Sequence, residues 1–411
     1  MRDVLLIAPA CDGQDVGESW LAHQWAELLS QRADVTLLTS HKRDHVPPSQ
    51  QLSGVRIVEW PEPPGVGRFE RFNSLLQPGY APFYVRARQW IRRRTAEGEH
   101  FDVVHQVVPV AMRYPSPATG LGVPVVLGPV GGGLESPPAF VEEEGGTPWY
   151  QRLRALDQAR LAHDPLLRRT YEQAACVVGI APYVGDLLAG LTLTRLAIMS
   201  ETAVRELPPE VDRSARRGSV RLLHVGRTIR TKGLRDVIRA LDQLRDLDVT
   251  LDVVGDGNDR SACEELTTAL GLGARVRFHG SLPREQVIGF YERADVFVFP
   301  SYREPGGNVA LEAMAAGLPV VVCARGGPGA NVDDDCGFRL RAESPTQLAE
   351  DVAAALRRLV TDPGLRARMG RAGRRKVEST HLWEHRVTQM LDLYEEVIDA
   401  HPVPRVGQSR P

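Results

Sequence analysis

Short, wholly apolar runs alternate along the chain with longer stretches whose apolar residues recur at helical spacing. Val4–Ala8, Val35–Thr39, Val55–Val58, Val103–His105, Val123–Leu127 and Cys176–Ile180 read as buried strands, and Ser19–Gln31 and Thr147–Ala174 carry the helical period. Strands that are apolar on both faces belong in a parallel sheet covered on each side by helices. A polar stretch, Glu206–Gly218, with Pro208, Pro209 and several arginines, interrupts this rhythm. The rhythm then restarts. Strands Val220–Val225, Val249–Val254, Val276–His279, Val296–Phe299 and Pro319–Cys323 interleave with helices Leu234–Leu244, Arg260–Leu270, Arg284–Arg293 and Val309–Ala316. Pro345–Leu359, Gly364–Glu378 and Leu382–Ala400 continue as helices, and the last residues, with their prolines, read as a frayed end.

The fold class this pattern predicts is α/β: two Rossmann-like, doubly wound parallel-sheet domains facing a central cleft. At 411 residues the chain exceeds one comfortable core. The expected division is an N-terminal domain over 1–205, a linker over 206–218 and a second domain over 219–380. A helix over 381–400 is placed to cross back to the first domain, and 401–411 forms a flexible tail. Closure about the linker on ligand binding is expected of such a pair. Open α/β sheets bind ligands at the carboxyl ends of their strands, so the chemistry belongs in the loops that follow strands.

Composition narrows the function classes. Lys and Arg total 50 against 52 Asp and Glu, a net charge of -2, so nothing global attracts nucleic acid and any anion site must be local. No apolar run is long enough to span a membrane, and the first one halts at Pro9 and Asp12, too early for a secretory signal. The cysteines, Cys11, Cys176, Cys263, Cys323 and Cys336, are scattered and form no CxxC pair, so neither a zinc site nor a disulfide framework is expected. These features predict a cytoplasmic protein.

Two segments carry the strongest chemistry. Glu304-Pro-Gly-Gly-Asn-Val-Ala-Leu-Glu312 follows a strand and opens a helix, with Asn308 as the expected N-cap and Glu312 in the first turn. A helix N-terminus offers free N–H groups and partial positive charge to a phosphate, and its glycines allow close backbone approach. Both carboxylates can accept from paired sugar or ribose hydroxyls. The second segment, Val225-Gly226-Arg227-Thr-Ile-Arg230-Thr-Lys232-Gly233, ends a strand, turns at glycine and places cations before a helix. Arg suits bidentate phosphate contacts and Lys point-charge neutralisation. Either segment alone also fits a plain capped surface helix or a solvated basic turn. Gly255-Asp256-Gly257 adds a third turn, but Arg260 stands where a dinucleotide fingerprint has its last glycine.

In order, Gly226-Arg227…Lys232-Gly233, Val254-Gly-Asp-Gly257, Val276-Arg-Phe-His-Gly-Ser-Leu282, Ala294-Asp-Val-Phe-Val-Phe-Pro-Ser301 and Glu304-x7-Glu312-Ala-Met-Ala-Ala-Gly-Leu-Pro-Val-Val321 resemble glycosyltransferase family 4, of the GT-B fold. The match covers roughly 220–340; the N-terminal half is similar mainly in strand rhythm. The resemblance implies retaining transfer from a nucleotide-diphosphate sugar, such as one of UDP, GDP or dTDP, to a hydroxyl of a saccharide, lipid-linked saccharide or natural product. No metal or other cofactor is implied. Arg227 and Lys232 would hold the diphosphate, with Glu304 at the reacting face of the sugar as the third catalytic residue. Glu312 would bind the ribose, and Gly226, Gly280, Gly307, Asn308 and Val309 would complete the donor site, the loop Gly280–Pro283 lining the base. This chain departs from the family in reading Glu304-Pro-Gly-Gly-Asn308 where members often have Glu-Gly-Phe-Gly-Leu, and Glu201-Thr202 where they have Asn-Gly. It also has Leu127-Gly-Pro-Val-Gly-Gly-Gly133 where many carry a His.

Gly17, Glu18, His105, Gly131 and Gly132 are the acceptor or cleft candidates, although a lone His is more often structural. The loop Pro61–Pro82 is placed as an acceptor lid, and His41, Lys42 and Arg43 could meet an anionic acceptor. The basic stretch Tyr84–Arg94 would suit peripheral contact at the inner face of a membrane, or simply a solvated face. The competing functions are a nucleotide-sugar hydrolase or epimerase, a non-catalytic nucleotide-sugar-binding partner and a nicotinamide dehydrogenase. The last lacks its glycine fingerprint after the first strand.

Overall fold

The computed structural model describes residues 2–15, 17–42, 45–62, 77, 79–145, 155–213, 216 and 218–401. Most of the expected acceptor lid, Arg43, residues 147–154 of the expected helix and the tail from 402 onward lie outside these residues. The chain divides into two compact units, one of Met1–Gly133, Arg152–Glu201 and Arg386–Pro411, the other of Leu134–Gln151 and Thr202–His385.

The first unit holds a seven-stranded sheet in the order β3-β2-β1-β4-β5-β6-β7, every pair parallel. Its strands are β1 Asp3–Ile7, β2 Asp34–His41, β3 Arg56–Pro61, β4 Val103–Gln106, β5 Val125–Val130, β6 Cys176–Gly179 and β7 Leu196–Ile198. Val4, Leu5, Leu6 and Ile7 have no exposed surface, as the two-faced cover requires. The predicted long helix before β6 is two helices, Ala155–His163 and Pro165–Glu172, the second opened by Pro165 and capped by the Asp164 carboxylate.

The second unit holds a six-stranded sheet, β10-β9-β8-β11-β12-β13, again all parallel. Its strands are β8 Val220–Val225, β9 Val249–Val254, β10 Val276–Phe278, β11 Val296–Phe299, β12 Val320–Cys323 and β13 Gly337–Leu340. Alternate residues sort to opposite faces. Leu222, Val296 and Val298 join one apolar cluster, while Leu223, Phe297 and Phe299 join the other. Helices Leu234–Asp242 and Pro345–Thr361 fill the first cluster, and helix Asn308–Ala315 the second. In each sheet the strand order reverses beside the first strand, between β1 and β4 and between β8 and β11. That reversal point is where doubly wound sheets open a crevice for ligands.

Two features depart from a simple division at the linker. Residues 202–218 belong to the second unit, where Arg213 donates to the carbonyls of Tyr291, Ala294 and Ala316 at 2.8–3.0 Å. Residues 134–145 also build into the second unit, and Phe140 is fully buried in its core. The C-terminal helix Trp383–Ala400 returns to the first unit from Arg386 onward. There Arg195 pairs with Glu396 and Arg2 with Glu395.

Candidate functional site

In the second unit, the loops that leave β8 and β11 flank the reversal point, and they carry the residues singled out in the sequence. After β8 the chain turns at Gly226, exposes Arg227, and makes one tight turn of 3-10 helix, Arg230–Lys232, before helix Leu234–Asp242. After β11 the loop Pro300–Gly307 leads into helix Asn308–Ala315. The two loops meet where Lys232 Nζ pairs with Glu304 Oε2. Lys232 is nearly buried, and its ammonium also lies 5.7 Å from the Phe299 ring centre. The other carboxylate oxygen of Glu304 accepts from the Gly307 N–H at 3.3 Å. Arg227 has no ion-pair partner among the described residues and is open to solvent.

Asn308 is not the cap. Gly307, at φ +84° and with Pro328 2.7 Å from where a Cβ would stand, takes that position and leaves Asn308 as the first helical residue. The freed Asn308 side chain accepts from the hydroxyl of Thr202, at the start of the second unit. The N–H groups of Asn308 and Val309 lie in the first turn, where the helix supplies no carbonyl. Glu312 lies one residue further on than expected, as the fifth residue of the helix, just past its first turn. Its carboxylate is held from two sides, by the Tyr291 hydroxyl at 3.0 Å and Arg284 at 3.2 Å. Gly280, at the head of the expected base loop, accepts from the Gly255 N–H at 2.8 Å and so ties that loop to the turn after β9. The structure therefore brings Lys232 and Glu304 together, and places Glu312 and the 308–309 amides on the adjoining helix. The sequence reading did not single out Tyr291 or Arg284, and it noted Thr202 only as a departure from the family pattern.

The first-unit candidates behave differently. His105 does not face an opening. It has no exposed surface, its Nε2 donates to the Gly128 carbonyl at 2.5 Å, and its Nδ1 accepts from the Tyr394 hydroxyl at 2.5 Å. Burial pushes it down to about 4, so it is a neutral core histidine. Gly131 packs where a Cβ would meet Ile180 at 2.1 Å, and the Gly132 N–H donates to the Tyr183 hydroxyl at 3.2 Å. Gly131 is thus built against its own core, whereas a Cβ at Gly132 would meet nothing within 4 Å. Gly17 precedes helix Glu18–Leu29, and the half-buried Glu18 accepts from Gln77 at 3.4 Å, with its carboxyl pushed upward by burial. His41 closes β2, and Lys42 beyond it pairs with Asp15 at 3.0 Å. In the basic helix Tyr80–Ala96, Arg88 donates to the carbonyls of Pro117 and Thr119. Arg93 and Arg94 pair with Glu97, while Arg86 and Arg92 are exposed and have no ion-pair partner among the described residues. Among the described residues no helix is long and apolar enough to cross a membrane.

Residues 212–376 match the family described as glycosyl transferases group 1, and residues 17–199 the glycosyl transferase 4-like domain. A glycogen synthase of Mycobacterium tuberculosis is 34% identical over 45% of this chain and 45% of its own length. A D-inositol 3-phosphate glycosyltransferase of Thermobifida fusca is 31% identical over 62% of this chain and 60% of its own. The matched regions thus span about half the length of these curated relatives. Among solved structures, sucrose-phosphate synthase from Thermosynechococcus elongatus aligns over 97% of this chain and 100% of its own, with 21% identity and a TM-score of 0.65. HepE of Anabaena, in complex with UDP and glucose, aligns over 96% and 100%, with 16% identity and a TM-score of 0.60. With both halves matched and two all-parallel sheets, this chain belongs to glycosyltransferase family 4, with the GT-B fold.

Proposed function

We propose that this protein is a retaining glycosyltransferase. It moves a sugar from a nucleotide-diphosphate donor to a hydroxyl of a saccharide, lipid-linked saccharide or natural-product acceptor, without a metal. The observation that carries this reading is the meeting of Lys232 and Glu304 at the reversal point of the second sheet, with Arg227 exposed on the same loop. A diphosphate leaving group gathers negative charge as the anomeric C–O bond breaks, and preorganised cations stabilise that charge. Arg227 and Lys232 supply them. As Lys232 turns to phosphate, the Glu304 carboxylate becomes free to accept from hydroxyls of the transferred sugar. Glu312, oriented by Tyr291, takes the ribose hydroxyls. The acceptor oxygen bonds to the anomeric carbon on the face the diphosphate leaves, and its proton passes to a departing phosphate oxygen. The chain therefore needs no separate general base.

The test is a thermal-shift screen of UDP, GDP, dTDP and ADP, and their sugars, in EDTA. HepE has been seen with UDP, which makes UDP the first to try. A ligand at about a hundred times its Kd adds about 2.7 kcal/mol to the native state. A selective rise that disappears in Arg227→Ala or Glu312→Ala supports the reading, and no rise with any nucleotide overturns it. Donor consumption without any acceptor would instead favour a hydrolase or epimerase.

A further inference from the structure

The two loops that carry Lys232 and Glu304 share a third partner, the segment 134–145. The Phe140 ring lies 4.2 Å from that of Tyr302, and the Arg230 guanidinium sits over both, at 5.4 and 5.5 Å. Arg230 makes a bidentate pair with Asp236 at 2.7 and 3.0 Å and donates its Nε to Glu143 at 2.9 Å. Arg239 reaches the same Glu143 carboxylate at 2.9 and 3.2 Å. Glu144 accepts from the Tyr302 hydroxyl at 3.2 Å, and Arg325 donates to the carbonyls of Glu135 and Tyr302 at 2.7 and 3.1 Å.

Arg230 and Lys232 are the first and last residues of one 3-10 turn, so whatever holds Arg230 sets the direction of Lys232. Tyr302 lies two residues before Glu304 and is held by the same segment. Phe140 accounts for the buried area here, and Asp236 already neutralises Arg230. Glu143 adds a second carboxylate to that guanidinium while keeping 28% of its side chain exposed. Its contribution is therefore to geometry more than to burial. Burial opposes its charge, but Arg239 and Arg230 outweigh that and hold the carboxyl below its ordinary range.

We propose that Glu143 is a positioning residue for the diphosphate site: through Arg230 it fixes the turn that aims Lys232 at Glu304. The inference rests on the reading that Lys232 binds the donor diphosphate. Among the described residues no hydrogen bond or ion pair joins Glu143 to Lys232 or Glu304, so its loss should reach the ligand only through the placement of Lys232.

The test is calorimetric titration of UDP and of UMP, or of the corresponding pair for the base the screen selects. It uses the full chain, Glu143→Gln and Arg239→Ala, with melting temperatures measured without ligand. The expected result is that both variants fold and bind the diphosphate about tenfold more weakly, the effect of one lost charge-assisted contact, while monophosphate affinity holds. Equal weakening of both ligands, or a lower melting temperature with unchanged binding, would show a merely structural role and overturn the proposal. Diphosphate binding unchanged in both variants overturns it too, and leaves the donor reading intact. If the unmodified protein binds no nucleoside diphosphate, the donor reading fails and this inference fails with it.

Discussion

Lys232 and Glu304 form an ion pair with only 8% and 20% of their side chains exposed, and Glu304 spends its second oxygen on the Gly307 N–H. Each partner occupies the group that the other would offer a nucleotide sugar. On the proposed reading the pair competes with the donor, and occupancy would exchange one set of charge-assisted contacts for another.

Glu304→Gln separates the two roles. The amide keeps the shape but no longer neutralises Lys232, so nucleoside diphosphate should bind several-fold tighter by calorimetry. Turnover of the nucleotide sugar should fall by about a hundredfold or more, since a preorganised charge near the reacting carbon is lost. Parallel loss of affinity and turnover would contradict the competition.

Tyr291→Phe removes the hydroxyl that orients Glu312 at 3.0 Å. Nucleotide affinity should drop by about tenfold, the effect of one hydrogen bond to a charged group. Arg284 reaches the same carboxylate but is 70% exposed, so Arg284→Ala should change affinity by less than about threefold. The order of the two effects, read by titration, is the check.

Phe140→Ala should cost about 3–5 kcal/mol in urea unfolding, the range for a large buried aromatic. The residue has no exposed surface in the second unit. A loss below about 1 kcal/mol would mean that the segment does not fill that core.

Two buried histidines predict an acid limit on stability. Burial lowers both His105 and His224 to about 4, against an ordinary value of about 6.5. The unfolded chain takes up these protons first, so their stabilisation is complete above about pH 6.5 and is lost as pH falls towards 4. At pH 5 each should remove about 2 kcal/mol, visible as a falling urea midpoint between pH 7 and 5. Replacing His105 with Gln should flatten its share of that slope.

The alternation of strands and helices was legible in the sequence because parallel strands buried on both faces leave continuous apolar runs, as in Val4–Ile7 and Val296–Phe299. The loops of Lys232 and Glu304 stood out in the sequence because each follows a strand, where this topology places ligands, and Glu312 lies on the helix that the second loop opens. Asn308 was misread because the capping preference for Asn is local, whereas the cap fell to Gly307, whose left-handed backbone fits against Pro328. His105 reads from the sequence as the end of a strand, yet β4 runs on to Gln106 and the two ring nitrogens of His105 find Gly128 and Tyr394 within the core. Phe140 and Glu143 gave no local signal. Their partners, from Arg230 to Tyr302, are roughly 90 to 160 residues away, and only the folded chain brings them together.

The insertion of 134–145 into the second unit has a bearing on how such proteins can be recombined. A fragment cut as 202–385 would be contiguous in the gene, yet would lack the ring that fills its core and the carboxylate shared by Arg230 and Arg239. Exchanging second units between relatives therefore has to move these few residues as well. A hybrid that omits them inherits Lys232 and Glu304 without the segment that packs against their loops.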